Sequence, residues 1–144
     1  MPFPDESFDI VVNRHGSYEP KELFRVLKPG GLFITQQVGE NNDHELVEML
    51  LPNTPKQFDG HNLTNCSKAL KEVGFSILES DEAYRTISFN SSGALVWFAK
   101  IIEWEFIGFS VDKCIKQLID VETAIKTKGF VSGSTHRFYI VAKK

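Results

Sequence analysis

The chain has 144 residues, of which 42% are hydrophobic and 24% are charged, and this balance excludes disordered and fibrous classes. A formal net charge of −3, with no long run of Lys or Arg, argues against a nucleic-acid partner. The most apolar stretch, Ala94 to Ile107, is interrupted by charged residues, so we expect no membrane span. The N-terminus lacks an apolar signal segment, which predicts a cytoplasmic location. We expect one domain over residues 1–144, with Cys66 and Cys114 reduced.

The first third of the sequence predicts a strand, a helix and a second strand. Phe8 to Val12 is an apolar, β-branched run that ends in the polar loop Asn13 to Ser17, as a buried parallel strand does. Pro20 suits the first turn of a helix, which Pro29 and the two following glycines end. Leu32 to Val38 then has the composition of a strand. A strand-helix-strand unit follows from this order.

The rest of the chain continues the same α/β alternation. The predicted elements, in chain order, are a helix capped at Asn42 or Asp43, a helix capped at Asn65 and stopped at Gly74, strand segments at Phe75–Leu78 and Tyr84–Phe89, an apolar helix from Ala94 to Trp104, a helix from Ser110 to Gly129, and a closing strand at Arg137–Ala142.

Two motifs in the first unit carry a family resemblance. Pro2–Val11 reads PFPDESFDIV and Arg25–Gly31 reads RVLKPGG. Together, at this spacing, they resemble the fourth strand, the following helix and the fifth strand of class I S-adenosylmethionine-dependent methyltransferases of type 11. The resemblance implies an α/β fold: the C-terminal half of a Rossmann-like methyltransferase sheet, with its fourth to seventh strands and the last strand antiparallel. It also implies a helical insertion over residues 90–130 that caps the substrate site.

The sequence departs from the family pattern at its start. In the family, a glycine-rich loop, an acidic residue for the ribose hydroxyls and an acidic residue for the adenine come before the first motif, and Met1 stands where the family has Leu. We therefore expect a truncated methyltransferase domain, with a trimmed start codon favoured over a deliberate fragment. For the same reason we expect S-adenosylmethionine to bind this chain weakly or not at all.

The resemblance also implies site residues. Asn13 and Arg14 are placed beside the cofactor's methionine portion, His15 as a catalytic acid or base, and Phe3 beside the adenine ring. The alternatives are a polar loop that simply ends a strand and a Phe3 that covers the edge of the sheet. No metal is expected, because the four histidines form no recognisable ligand pattern. The aromatic residues of the insertion suit either a core or a pocket wall: Trp97, Phe98, Trp104, Phe106 and Phe109.

The function implied is methyl transfer from S-adenosylmethionine to a small-molecule acceptor, with poor activity of this chain alone. The alternative is a non-catalytic α/β module that self-associates or binds a partner chain. A ribosomal-RNA methyltransferase is disfavoured by the acidic charge, and a dehydrogenase by the lack of a dinucleotide fingerprint. We also expect a homodimer, because the strand from Phe8 to Asn13 is interior in the family's sheet and becomes an exposed edge here.

Overall fold

A computed structural model describes residues 2–144, and Met1 lies outside the described residues. One helix separates the first two strands, and two helices lie between each later pair of consecutive strands. In chain order the elements are β1 (Phe8–Arg14), α1 (Pro20–Val26), β2 (Leu27–Val38), α2 (His44–Leu50), α3 (Leu63–Glu72), β3 (Ser76–Phe89), α4 (Ser92–Ile101), α5 (Ile115–Lys128) and β4 (Val131–Lys143).

The strands form a four-stranded mixed sheet in the order β1-β2-β4-β3. β1 runs parallel to β2, with Ile10 opposite Leu32 and Arg14 opposite Gln36. β4 runs antiparallel to β2, so the last strand of the chain lies inside the sheet and not at its edge. The predicted fold class, an α/β sheet with an antiparallel last strand and flanking helices, is confirmed.

Several helix ends differ from their predicted positions for local reasons. Asn62, and not Asn65, caps α3, because the Asn62 side chain accepts a hydrogen bond from the Asn65 amide at 2.9 Å. Ser110 begins a turn before α5, whose first residue is Ile115. Gly129 ends α5 in the left-handed conformation, as predicted, with a φ of 88°.

Two compact units divide the chain. The first comprises the residues up to Glu40, Gly60–Ala83 and His136–Lys144, and the second comprises Asn41–Asp59 and Tyr84–Thr135. Elements α4 and α5 fall within the segment predicted as a helical insertion. Its capping role stays a prediction. None of the helices within residues 2–144 combines the length and the apolar character needed to cross a bilayer.

The core of the first unit lies on one face of the sheet. Its buried side chains come from α1, α3, the residue before β3 and the facing sides of β2 and β4: Leu23, Leu27, Phe33, Leu70, Phe75, Phe138, Ile140 and Ala142. Val11 of β1 packs against this core, whereas its neighbours Ile10 and Val12 are exposed. Neighbouring side chains on a strand point to opposite faces, so β1 contributes apolar side chains to both faces of the sheet.

The second unit has a helical core of its own. Its buried side chains come mainly from α2, α4 and α5 and from the segment between the last two: Leu46, Val47, Leu50, Leu95, Ala99, Phe106, Leu118, Val121 and Val131. Phe98 and Phe109 pack against this cluster, while Trp97 and Trp104 are exposed. The aromatic residues of the predicted insertion are therefore divided between the core and the surface of the second unit.

Candidate functional site

The carboxyl ends of β1 and β2 lie at one edge of the first unit's sheet, because the two strands run parallel. This edge carries five polar side chains, and we call them the carboxyl-edge site: Asn13, Arg14, His15, Thr35 and Gln37. In open α/β sheets ligands bind beyond the carboxyl ends of the strands. The structure thus brings three of the four predicted site residues together at the position where such folds bind ligands.

A hydrogen-bond network fixes Asn13 in this site. The Asn13 Oδ1 atom accepts hydrogen bonds from Thr35 Oγ1 at 3.1 Å and from Gln37 Nε2 at 2.7 Å. Gln37 Nε2 also donates to the Gly16 carbonyl at 3.1 Å. Thr35 and Gln37 are buried, Gln37 to 4% exposure, and buried polar groups are held by such partners. Asn13 therefore organises the loop that follows β1.

His15 extends beyond this network towards solvent. Its backbone has a φ of 56° and its amide donates to the Gln36 carbonyl at 2.9 Å. Partial burial, together with the positive charges of Arg137 and Arg14, lowers the pKa of His15 below 6.5. The imidazole is therefore neutral near pH 7, which is the form that accepts a proton.

Phe3, the fourth predicted residue, lies at the opposite end of β1. Its ring packs edge-on against Phe8, with 5.0 Å between the ring centroids. Five residues separate Phe8 from Asn13, which is roughly 16 Å along a strand. The geometry therefore separates Phe3 from the carboxyl-edge site. Its contact with adenine stays a prediction.

The acidic turn before β1 is tied to the chain's own cations. Asp5 forms an ion pair with Arg25, and Asp9 forms one with Lys28 at 2.8 Å. Arg25 also donates hydrogen bonds to Glu22 at 2.9 and 2.6 Å, and this is the largest cause of the lowering of the Glu22 pKa. Within residues 2–144 no group of three or more His, Cys, Asp or Glu side chains is arranged to hold a metal ion.

A second polar cluster at the end of β2 was missed by the sequence reasoning. The Gly39 amide donates to the His136 carbonyl at 3.0 Å, and a Cβ on Gly39 would lie 2.2 Å from the His136 ring. His136 is fully buried, and its Nε2 atom lies 3.0 Å from Glu82 Oε2. Only glycine fits at position 39, because the buried ring occupies the space of a side chain.

His61 lies in the same cluster as Gly39 and His136. Its ring centroid is 5.5 Å from that of Phe138, and its Nδ1 atom is 3.7 Å from the Cys66 sulfur. Burial lowers the pKa of His61, an effect that the neighbouring His136 reinforces and Glu40 opposes. These residues are far apart in sequence, so no spacing pattern could have grouped them.

Comparison with curated proteins gives a partial match. No family model matches the chain. The cycloartenol-C-24-methyltransferase of Arabidopsis thaliana is 31% identical over 94 residues, which is 54% of this chain and 27% of that protein. The chain therefore matches about a quarter of the length of this relative.

Solved structures cover the whole chain. The protein BH2331 of Bacillus halodurans C-125, assigned provisionally as a methyltransferase, is 19% identical with a TM-score of 0.60, and the chain covers 67% of it. The YcgJ protein of Bacillus subtilis is 18% identical with a TM-score of 0.56 and the same coverage. The cyclase SpnF, with a TM-score of 0.50 and 18% identity, is covered to 52%. The resemblance to class I methyltransferases is thus confirmed at the level of the fold.

The lowered pKa of His61 predicts a pH-dependent stability. The unfolded state binds a proton near pH 6.5, whereas the folded state resists protonation until a lower pH. The contribution of the neutral His61 side chain to the free energy of unfolding is therefore complete above pH 6.5 and is lost as the pH falls below it. The urea concentration at the unfolding midpoint should fall as the pH is lowered from 7.5 to 5. For the His61→Gln variant, the midpoint should fall less steeply over the same pH range. An identical slope in the variant would show that His61 does not carry this effect.

Proposed function

We propose that this chain forms part of an S-adenosylmethionine-dependent methyltransferase that acts on a small molecule, and that the carboxyl-edge site is where cofactor and acceptor meet. The observation that carries the proposal is the loop Asn13 to His15. It lies at the carboxyl ends of two adjacent parallel strands in a methyltransferase fold. The name of the matched Arabidopsis relative gives cycloartenol as its substrate, which supports a small-molecule acceptor.

The residues of the site fit one part of the cofactor. The exposed Arg14 guanidinium suits the carboxylate of the methionine portion, since Arg recognises carboxylates through paired N–H groups. The sequence contains no G-x-G-x-x-G run, so the backbone cradle typical of such cofactors is not supplied by these residues. We therefore propose that this chain alone binds S-adenosylmethionine weakly and has little activity.

When bound, the cofactor supplies a methyl group that its sulfonium makes transferable. The chain's own residues then have three tasks. Arg14 binds the cofactor's carboxylate, and the network of Asn13, Thr35 and Gln37 holds the loop in a fixed position, which favours the aligned geometry that transfer requires. His15, neutral near pH 7, takes the proton that the acceptor loses.

Ligand-observed NMR tests this proposal at the affinities expected. Saturation transferred from the chain to S-adenosylmethionine should be strongest on the protons of the methionine portion, because Arg14 is proposed to contact that end. Arg14→Gln should reduce the transfer several-fold without changing the unfolding midpoint, since the substitution removes the proposed partner of the carboxylate and Arg14 is exposed.

Lys113→Gln, which removes an exposed positive charge in the second unit, serves as the matched control and should leave the transfer unchanged. Two outcomes contradict the proposal. One is the absence of any transfer at millimolar cofactor, and the other is an equal loss in both variants.

A second candidate function is a self-associating module, and the position of β1 favours it. β1 stands at one end of the four-stranded sheet, and Val12 on it is 71% exposed. An end strand offers its backbone N–H and C=O groups to another strand, and Pro or inward Lys normally blocks such pairing. Neither occurs between Phe8 and Arg14. Two copies pairing through β1 about a two-fold axis would cover this edge.

Sedimentation equilibrium tests the dimer. The chain should be dimeric at high micromolar concentration, and Val12→Lys should convert it to a monomer, because a charge on an edge strand opposes pairing. Leu78→Lys, at an exposed position on β3, should leave the dimer intact. A monomeric parent chain at the same concentration would end this candidate and leave the methyltransferase proposal standing.

A further inference from the structure

Four large apolar side chains of the second unit are exposed on α4 and the turns after it. We call Trp97, Ile101, Trp104 and Ile107 the tryptophan patch. Trp97 is 67% exposed and Trp104 is 58% exposed. Trp97 and Ile101 are four residues apart on α4 and so lie on the same face of the helix.

The patch is distinct from the helical core beside it. Phe98 and Phe106, from the same segment, pack into that core, and Phe106 is fully buried. Phenylalanine side chains therefore occupy the apolar core at this point, and the two tryptophan side chains lie outside it. Clustered apolar side chains left in water mark interaction sites. Tryptophan in particular suits a boundary between water and hydrocarbon, because its ring is apolar and its indole N–H is polar.

The charges next to the patch indicate which surface it fits. A cavity of about 380 Å³ is lined by Lys100, Glu103, Phe106 and Ile107, among others. One ammonium and one carboxylate at this cavity complement the phosphate and the quaternary ammonium of a zwitterionic phospholipid headgroup. The formal net charge of −3 opposes an anionic surface, because like charges repel over the screening length in salt. A cationic stripe of the kind that binds acidic lipids does not occur between Trp97 and Ile107.

We infer that the tryptophan patch docks the chain on a zwitterionic phospholipid surface, with Trp97 and Trp104 at the headgroup boundary and Lys100 and Glu103 facing a phosphocholine group. Such binding lays apolar side chains into the interface and needs no spanning helix. The inference does not depend on the proposed methyl transfer, because it rests on the second unit alone.

Intrinsic fluorescence tests it directly, because the sequence contains two tryptophans and both belong to the patch. Phosphatidylcholine vesicles should shift the emission of the chain to shorter wavelength, and phosphatidylcholine with brominated acyl chains should quench it. The shift should persist in high salt, since apolar burial dominates. Trp97→Ser should weaken vesicle binding about tenfold, as expected from losing one large apolar side chain, whereas Trp97→Phe should retain most of it.

Ile119→Ser is the matched control, because Ile119 is 59% exposed on α5 of the same unit. Its vesicle flotation should equal that of the parent chain. Circular dichroism of each variant reports whether the helices are intact. Four results would overturn the inference: no spectral shift with vesicles, binding that requires anionic lipid and disappears in salt, an equal loss in Ile119→Ser, or a concentration-dependent shift without lipid, which would identify a second copy of the chain as the occupant.

Discussion

The parallel register of β1 against β2 is the constraint on which the candidate site depends. Asn13 lies opposite Thr35 in this register, which places the Asn13 amide oxygen within reach of both Thr35 and Gln37. A slip of one residue would turn every side chain of β1 to the other face of the sheet. Val11 would then leave the core, and Asn13 would lose its buried partners. The same register that packs the core therefore builds the polar edge.

The antiparallel insertion of β4 beside β2 completes this edge. It places the buried His136 against Gly39 and leaves Arg137 near enough to His15 to lower its pKa. The chain's last strand thus contributes to a loop that follows its first. Buried partners of this kind make a site rigid, because each polar group is fixed by the others. The fold alone does not define the reaction, since a cyclase is among the structures with this fold.

Local signals predicted the elements that depend on neighbouring residues. Gly129 ends α5 because a glycine adopts a positive φ without strain, and Pro20 begins α1 as expected. The two motifs around β1 and β2 indicated the fold and three members of the site. The contribution of Thr35 and Gln37 was signalled only by their polar character near the end of β2.

Other features could not be read from the sequence, because they depend on tertiary contacts. Apolar periodicity does not distinguish Phe106, which is buried, from Trp104, which is exposed. β3 continues from Ser76 to Phe89 through a polar stretch that lacks strand composition, so its pairing with β4 overrides local preference. The cluster of Gly39, His61 and His136 joins three distant segments.

The most direct measurement is an amide-resolved NMR titration of the isotopically labelled chain with S-adenosylhomocysteine. If the carboxyl-edge site binds this ligand, the amide shifts of His15, Gly16 and Gly39 should change, because these residues follow β1 and β2 at the carboxyl edge of the sheet. A separate cavity of about 510 Å³ lies in the second unit, lined by Met49, Val121 and Phe130 among others. Changes confined to that cavity, or none at millimolar ligand, would contradict the claim that the carboxyl-edge site binds the cofactor.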